Sequence, residues 1–162
     1  MIYLISPLET CHRARGTRVR FILNKLEAEG QAVTLITSNF SHQDKKQLSD
    51  REIKADNPCQ TYVIGVPSYK SNISIARFIM HWVFSLKAFF LLFSKVDEKD
   101  TLLTMLSFPE LSLLNHALAK SRGCRTIVDV WDIWPDAIIA ARSGLRFQLF
   151  RYYCDLVYRI TM

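Results

Sequence analysis

Two short apolar runs, Ile2 to Ile5 and Val33 to Thr37, flank a segment in which Val19, Ile22, Leu23 and Leu26 recur at helical spacing. No other feature narrows the available folds as much. A continuous apolar run of this length suits a strand covered on both faces, and such strands belong to parallel sheets with helices above and below. Gly30 supplies a residue at which a helix can stop, so strand, helix and second strand make one βαβ unit with short connections.

The alternation continues along the chain. Tyr62 to Val66 reads as a third strand closed by Pro67, Ser74 to Lys95 as a long helix, and Leu102 to Leu106 as a fourth strand after the charged turn Asp97 to Asp100. Ser107 and Glu110 are spaced for a capping box with Pro109 in the first turn, opening a helix that carries Leu111, Leu114 and Leu118 to Gly123. A fifth strand is expected over Thr126 to Trp131 and a short helix over Pro135 to Arg142. After a break at Ser143-Gly144, a last helix carries Leu145, Leu149, Tyr153, Leu156, Val157 and Ile160. The order predicts an α/β fold: a Rossmann-like, doubly wound, mainly parallel sheet with helices on both faces.

Two segments stand apart from this scheme. Ser41 to Pro58 is polar with charges of both signs and reads as a solvated, mobile loop. In the long helix, a wheel gathers Phe78, Ile79, Trp82, Val83, Leu86, Phe89, Phe90 and Phe93 on one face and sets Arg77, His81 and Ser85 opposite. His81 on that polar stripe and His116 in mid-helix then read as surface residues. The run Phe78 to Phe93 is shorter than a typical membrane span and contains His81 and Lys87, which argues against a transmembrane helix.

The 162 residues, 49% apolar and 22% charged, suffice for one globular domain with a core, and the net charge of +6 admits anionic partners. Cys11, Cys59, Cys124 and Cys154 form no C-x-x-C and no Cys/His cluster, so reduced thiols and no metal site are expected. Neither a basic leader nor a signal-type apolar region opens the chain. It reaches Met162 inside a helical pattern without a cap, which reads as a domain incomplete at its C-terminal end.

Two groups of residues carry chemistry. The loop after the first strand holds His12, Arg13, Arg15, Gly16, Arg18 and Arg20 at the start of a helix, where free N–H groups, the helix dipole and guanidinium forks favour a phosphate or pyrophosphate. With Gly16 alone it is neither the G-x-G-x-x-G fingerprint nor a P-loop, and no aromatic interleaving of the RNA-binding kind appears, so nucleic acid is not an expected partner. The second group lies in T-I-V-D-V-W-D-I-W-P-D, Thr126 to Asp136, where a β-branched run stops at acids and tryptophans. In open α/β sheets ligands collect outside the carboxyl ends of the strands. Asp129, Asp132, Trp134 and Asp136 would face one crevice with Ser107, Phe108, Pro109 and Glu110, where carboxylates hold sugar hydroxyls and indoles cover ring faces. Asp132 and Asp136 suit helix capping equally well, and Trp131 suits plain core. No histidine has a partner at a catalytic spacing, and no G-x-S-x-G elbow supports a hydrolase.

Arg15 to Ser38 (R-G-T-R-V-R-F-I-L-N-K-L-E-A-E-G-Q-A-V-T-L-I-T-S) and Val128 to Asp136 (V-D-V-W-D-I-W-P-D) together resemble the amino-terminal half of family 4 glycosyltransferases of the bacterial capsular and exopolysaccharide type. The resemblance implies one half of a GT-B architecture, the acceptor-side domain of an enzyme that transfers sugar from a nucleotide-sugar donor with retention. Arg13, Arg15, Gly16 and Arg18 would bind the acceptor phosphate, with Ser107, Phe108, Glu110, Asp132 and Trp134 lining the cleft. No catalytic residue and no metal ligand is assigned. The donor domain, with most of the nucleotide-sugar site, has no counterpart here, so the chain alone should not turn over. The nucleotide-sugar is a co-substrate of the complete enzyme rather than a bound cofactor. A sugar or lipid-linked sugar acceptor implies a cytoplasmic place, peripheral on the inner membrane face, with the Phe78 to Phe93 helix either meeting the membrane or covering the sheet. The alternative is a non-catalytic acceptor-binding or membrane-recruiting subunit of a split glycosyltransferase.

Overall fold

The computed structural model describes residues 1–9, 17–57, 59–72, 74–106, 108–130 and 144–161. The strands among the described residues are β1 Ile2–Ser6, β2 Val33–Ser38, β3 Phe40–Ser41, β4 Lys46–Gln47, β5 Gln60–Ile64, β6 Thr101–Leu106 and β7 Arg125–Val130. The described helices are α1 Arg18–Ala28, α2 Asp50–Ala55, α3 Ile75–Phe93, α4 Pro109–Arg122 and α5 Leu145–Thr161. Five of the strands form an all-parallel sheet in the order β5-β2-β1-β6-β7, and β3 and β4 pair as a small antiparallel hairpin. The architecture is α/β, Rossmann-like and doubly wound.

Strand pleating divides the core in two. Tyr3, Ile5, Ile36 and Leu102 point to one face, where Met80, Phe84, Ala88 and Leu92 of α3 and Leu111 and Leu118 of α4 cover them. Leu4, Val33, Leu35 and Met105 point to the other and meet Val19 and Leu23 of α1. With both faces covered the inner strands have no polar side to show, which is why β1 and β2 read as unbroken apolar runs. Gly30 and Gly123 end α1 and α4 at φ of 71° and 70°, the left-handed conformation that a side chain disfavours.

Several expectations are corrected. The stretch from Ser41 contains the β3–β4 hairpin and α2, which a full capping box opens: Glu52 N–H donates to the Ser49 hydroxyl and Ser49 N–H to the Glu52 carboxylate. Polarity there marks an exposed helix instead of an unstructured loop. The third large strand begins and ends two residues before its expected limits, at Gln60–Ile64. No capping box opens α4. Phe108 stands at the cap position without a side-chain bond, so Glu110 falls one residue short of the position that reaches back. Ser107, Trp131 and the helix expected over Pro135 to Arg142 lie outside the described residues.

The largest correction concerns α3, whose polar stripe faces inward. Arg77, His81 and Ser85 are buried together with Met80, Phe84, Ala88 and Leu92, while Phe78, Ile79, Leu86, Phe90 and Phe93 are exposed. Small side chains at Ser85 and Ala88 let the helix approach, and the two larger polar groups find partners inside. Arg77 Nε donates to His81 Nε2 at 3.2 Å, and the His81 ring stacks on Phe108 at 3.9 Å. Among the described residues α3 is the one helix long and apolar enough to cross a membrane by length and composition. Its buried polar stripe ties it to the sheet and to α4, so it makes no clear membrane span.

Candidate functional site

Because every large strand points the same way, the segments that follow them all emerge at one edge of the sheet. The chain winds outward from β1 through β2 to β5 on one side and from β6 to β7 on the other. The crevice of such a sheet opens at this switch, between β1 and β6, beyond the carboxyl ends.

The described part of the basic group lies beside that crevice and is already engaged. Arg18 forms an ion pair with Asp129 of β7, and Arg20 donates to the Asp56 carbonyl. At the start of α1 the Thr17 hydroxyl accepts from Arg20 N–H, and the Glu9 carboxylate accepts from Val19 N–H at 3.2 Å. The protein's own carboxylate therefore stands where an external anion would meet the helix dipole. Burial pushes the Glu9 carboxyl up, against the pull of Val19 N–H and Arg18. Hydroxyls from the ends of β1 and β2 hold the backbone before it. Ser6 and Thr37 donate to the Glu9 carbonyl at 3.1 and 3.3 Å, and Ser38 donates to the Pro7 carbonyl at 2.6 Å.

Arg13, Arg15, Gly16, Ser107, Asp132 and Trp134 lie outside the described residues. Phe108 and Glu110 follow β6 as expected, yet both sit beneath the crevice instead of on an open wall. Phe108 is fully buried between His81 and Phe84, and Glu110 is 1% exposed with Oε2 lacking a hydrogen-bond partner. Among the described residues no group of His, Cys, Asp and Glu is placed to hold a metal, and Cys59, Cys124 and Cys154 are free thiols.

Glu110 carries a pH signature. Burial pushes its carboxyl above the ordinary value. The native acid then keeps its proton to higher pH than the unfolded one, so stability is fullest at low pH and declines as pH rises through the native value. Glu110→Gln keeps a buried polar side chain but removes the titrating carboxyl, so it should flatten the decline in stability that the wild type shows between about pH 4 and pH 7.5. Urea midpoints at the two pH values check this.

Sequence reasoning missed a second group at the same edge. His42 and Lys45 in the β3–β4 turn, Tyr69 and Asn72 after β5, and Arg77 and His81 at the start of α3 form one bonded cluster. These residues are spread over 40 positions and three elements, so no local spacing signals them; the β5–β2 pairing and the turn of α3 toward the sheet bring them together. Burial, Lys45 and Arg77 push His42 down to about 4, and burial followed by Arg77 and His42 pushes His81 down to about 3.

No family model matches the chain, and neither a curated protein nor a solved structure matches it.

Proposed function

We propose that the chain is the acceptor-side domain of a retaining glycosyltransferase of the family 4 type, which serves surface polysaccharide synthesis together with a separate donor-binding domain. One observation carries this reading. The two segments that bear the resemblance, Arg15 to Ser38 and Val128 to Asp136, are far apart in sequence and meet at the carboxyl edge of the sheet, where Arg18 pairs with Asp129. That edge is where an α/β sheet takes its ligands. In this reading Arg13 and Arg15 hold the phosphate of a sugar or lipid-linked sugar acceptor, Arg18 is spent on fixing the crevice, and Gly16 lets the backbone approach. Ser107, Asp132 and Trp134 contribute the sugar-binding groups. The nucleotide-sugar reaches the crevice from the donor domain, and rate enhancement there is positional and electrostatic. The domain works in the cytoplasm against the inner membrane face.

A second reading is favoured by the outward apolar face of α3, which Leu145, Leu149, Leu156 and Ile160, exposed on α5, extend where Phe78 meets Tyr153. Such a surface fits a non-catalytic subunit that brings a donor-binding chain to the membrane.

Calorimetry with a soluble polyprenyl-diphosphate-sugar analogue and with UDP tests the first reading. The analogue is expected to bind and to lose at least about tenfold in affinity in the Arg13→Ala/Arg15→Ala double variant, while UDP, whose site lies on the donor domain, binds weakly or not at all. Tight UDP binding without binding of the analogue would replace the acceptor assignment by a nucleotide-binding one.

A further inference from the structure

β7 closes one side of the parallel sheet, and among the described residues no strand lies beyond it. Half of its backbone faces inward. Arg125 N–H donates to the Asp100 carbonyl at 3.1 Å, and the register of Thr101 with Arg125 then turns the backbone groups of Arg125, Ile127 and Asp129 toward β6. Those of Thr126, Val128 and Val130 point away from the sheet. The side chains are open as well: Arg125 and Thr126 are exposed, with Ile127 at 53% and Val130 at 45%. At the opposite edge Thr61 and Ile64 of β5 are buried and Lys95 lies over the Tyr62 ring. β7 carries neither lysine nor proline to keep another strand away.

Two charges do stand on β7, Arg125 and Asp129, and charges ordinarily keep an edge strand single. These have opposite signs and share one face of the strand with Ile127 between them. A second β7 running the other way past a two-fold axis at Ile127 therefore sets each Arg125 opposite an Asp129. The backbone agrees with this register. It pairs Thr126 with Val128 of the second copy, both with outward groups, as hydrogen-bonded pairs. Ile127 against Ile127 and Arg125 against Asp129 become the non-hydrogen-bonded pairs, in which side chains approach most closely. Moving the axis to Thr126 sets Arg125 against Ile127, and moving it to Val128 sets Asp129 against Ile127. Asp129 keeps its ion pair with Arg18, because a carboxylate accepts from several donors.

We propose that β7 is a homodimer interface, at which two copies of this chain pair antiparallel about a two-fold axis at Ile127 and merge their sheets into one. The occupant of the edge is a second copy because β7 carries the complement of its own charges and of its own outward backbone groups, as a closed isologous contact requires. Pairing satisfies the outward N–H and C=O groups of Thr126 and Val128 and takes Ile127 out of water. The inference concerns the side of the sheet, needs neither an acceptor nor a donor domain, and stands apart from the glycosyltransferase reading.

Two measurements on the full chain test it. Sedimentation equilibrium is expected to show a reversible dimer of twice the 18.8 kDa chain mass, with association at least about tenfold weaker in Thr126→Pro and in Arg125→Glu. Thr126 N–H points outward, so proline there leaves the β6–β7 ladder whole and removes only the bond given to the second copy. Circular dichroism checks that both variants fold. In the second measurement Ile127→Cys is oxidised gently and its cross-links are mapped by mass spectrometry. The axis brings the two substituted positions to about 4.5 Å between Cα atoms, within disulfide reach, so a covalent dimer joined there is expected. Ile79→Cys and Leu149→Cys, on the exposed helical faces, should give none. Because Ile127 is exposed, its variant is expected to fold, and the cross-link decides the question even where proline disturbs the strand. A monomer at every concentration, a dimer untouched by Thr126→Pro and Arg125→Glu, or cross-linking through Ile79→Cys or Leu149→Cys in place of Ile127→Cys overturns the proposal.

Discussion

Lowering the pH from 7 to 5 is expected to cost the fold about 2 kcal/mol through His81 alone. His81 Nε2 accepts from Arg77 Nε, so its lone pair is in use, and a proton there would break that bond and set an imidazolium against a guanidinium. Burial and Arg77 push the ring down to about 3 from an ordinary value of 6.5. Between those values the unfolded chain binds a proton that the native one refuses. The His81 contribution is therefore full above pH 6.5 and falls by about 1.4 kcal/mol per pH unit as acid is added, until the native ring itself titrates. His42, held down to about 4, acts in the same direction, with a smaller share because it is more open to solvent. Urea unfolding at pH 7, 6 and 5 measures the slope. His81→Gln keeps an acceptor for Arg77 and removes the titrating ring, so it should lose stability at pH 7 but show a clearly flatter pH dependence. An unchanged slope in that variant would assign the acid sensitivity to other groups.

The inversion of α3 that buries His81 also marks where sequence legibility ended. The large strands, α1 and α4 follow from local signals: apolar runs for β1 and β2, helical spacing of Val19 and Leu23, a glycine at each helix end. These signals survive because a parallel sheet imposes the same demand on every central strand. The facing of α3 does not follow from its wheel. Counting large apolar groups favours the Phe78–Phe90 side, whereas close approach to the sheet favours the narrower side of Ser85, Ala88 and Leu92. The capping box at Ser49 and Glu52 was written in the sequence, and the polarity around it hid a helix of only six residues.

The candidate site was legible only to the level of its edge. Strands followed by acids and arginines announce a carboxyl-end crevice, but the partners in it depend on strand order. Arg18 meets Asp129 because β7 joins the sheet beyond β6, on the side away from β2. That the Glu9 carboxylate caps the first turn of α1, and that Lys45, His42 and Arg77 converge on Tyr69, depend likewise on how loops fold over the sheet. Each pair is joined by tertiary geometry that no spacing encodes.

Replacing Phe108 by alanine should be the most damaging single change at this edge, at about 3–5 kcal/mol. Phe108 is fully buried at the entrance to α4, lies flat on His81 with planes 9° apart, and meets Phe84 edge-on with ring centres 6.3 Å apart. Removing the ring opens a void between α3, α4 and the sheet that backbone atoms on both sides keep from collapsing. For a chain of this length such a loss corresponds to a fall in Tm of about 10 °C, a large part of the 5–15 kcal/mol that holds a typical domain together. A second effect separates this position from ordinary core. Without Phe108 the His81 ring loses its cover, water reaches it, and its basicity returns toward the ordinary value. Phe108→Ala should thus lower stability at pH 7 and also flatten the decline between pH 7 and 5. Phe84→Ala should cost a similar amount yet keep the wild-type slope, since Phe84 does not stack on the imidazole. Thermal unfolding of both variants at pH 7 and 5 distinguishes the two outcomes, and equal slopes would show that Phe108 is packing alone and does not control His81.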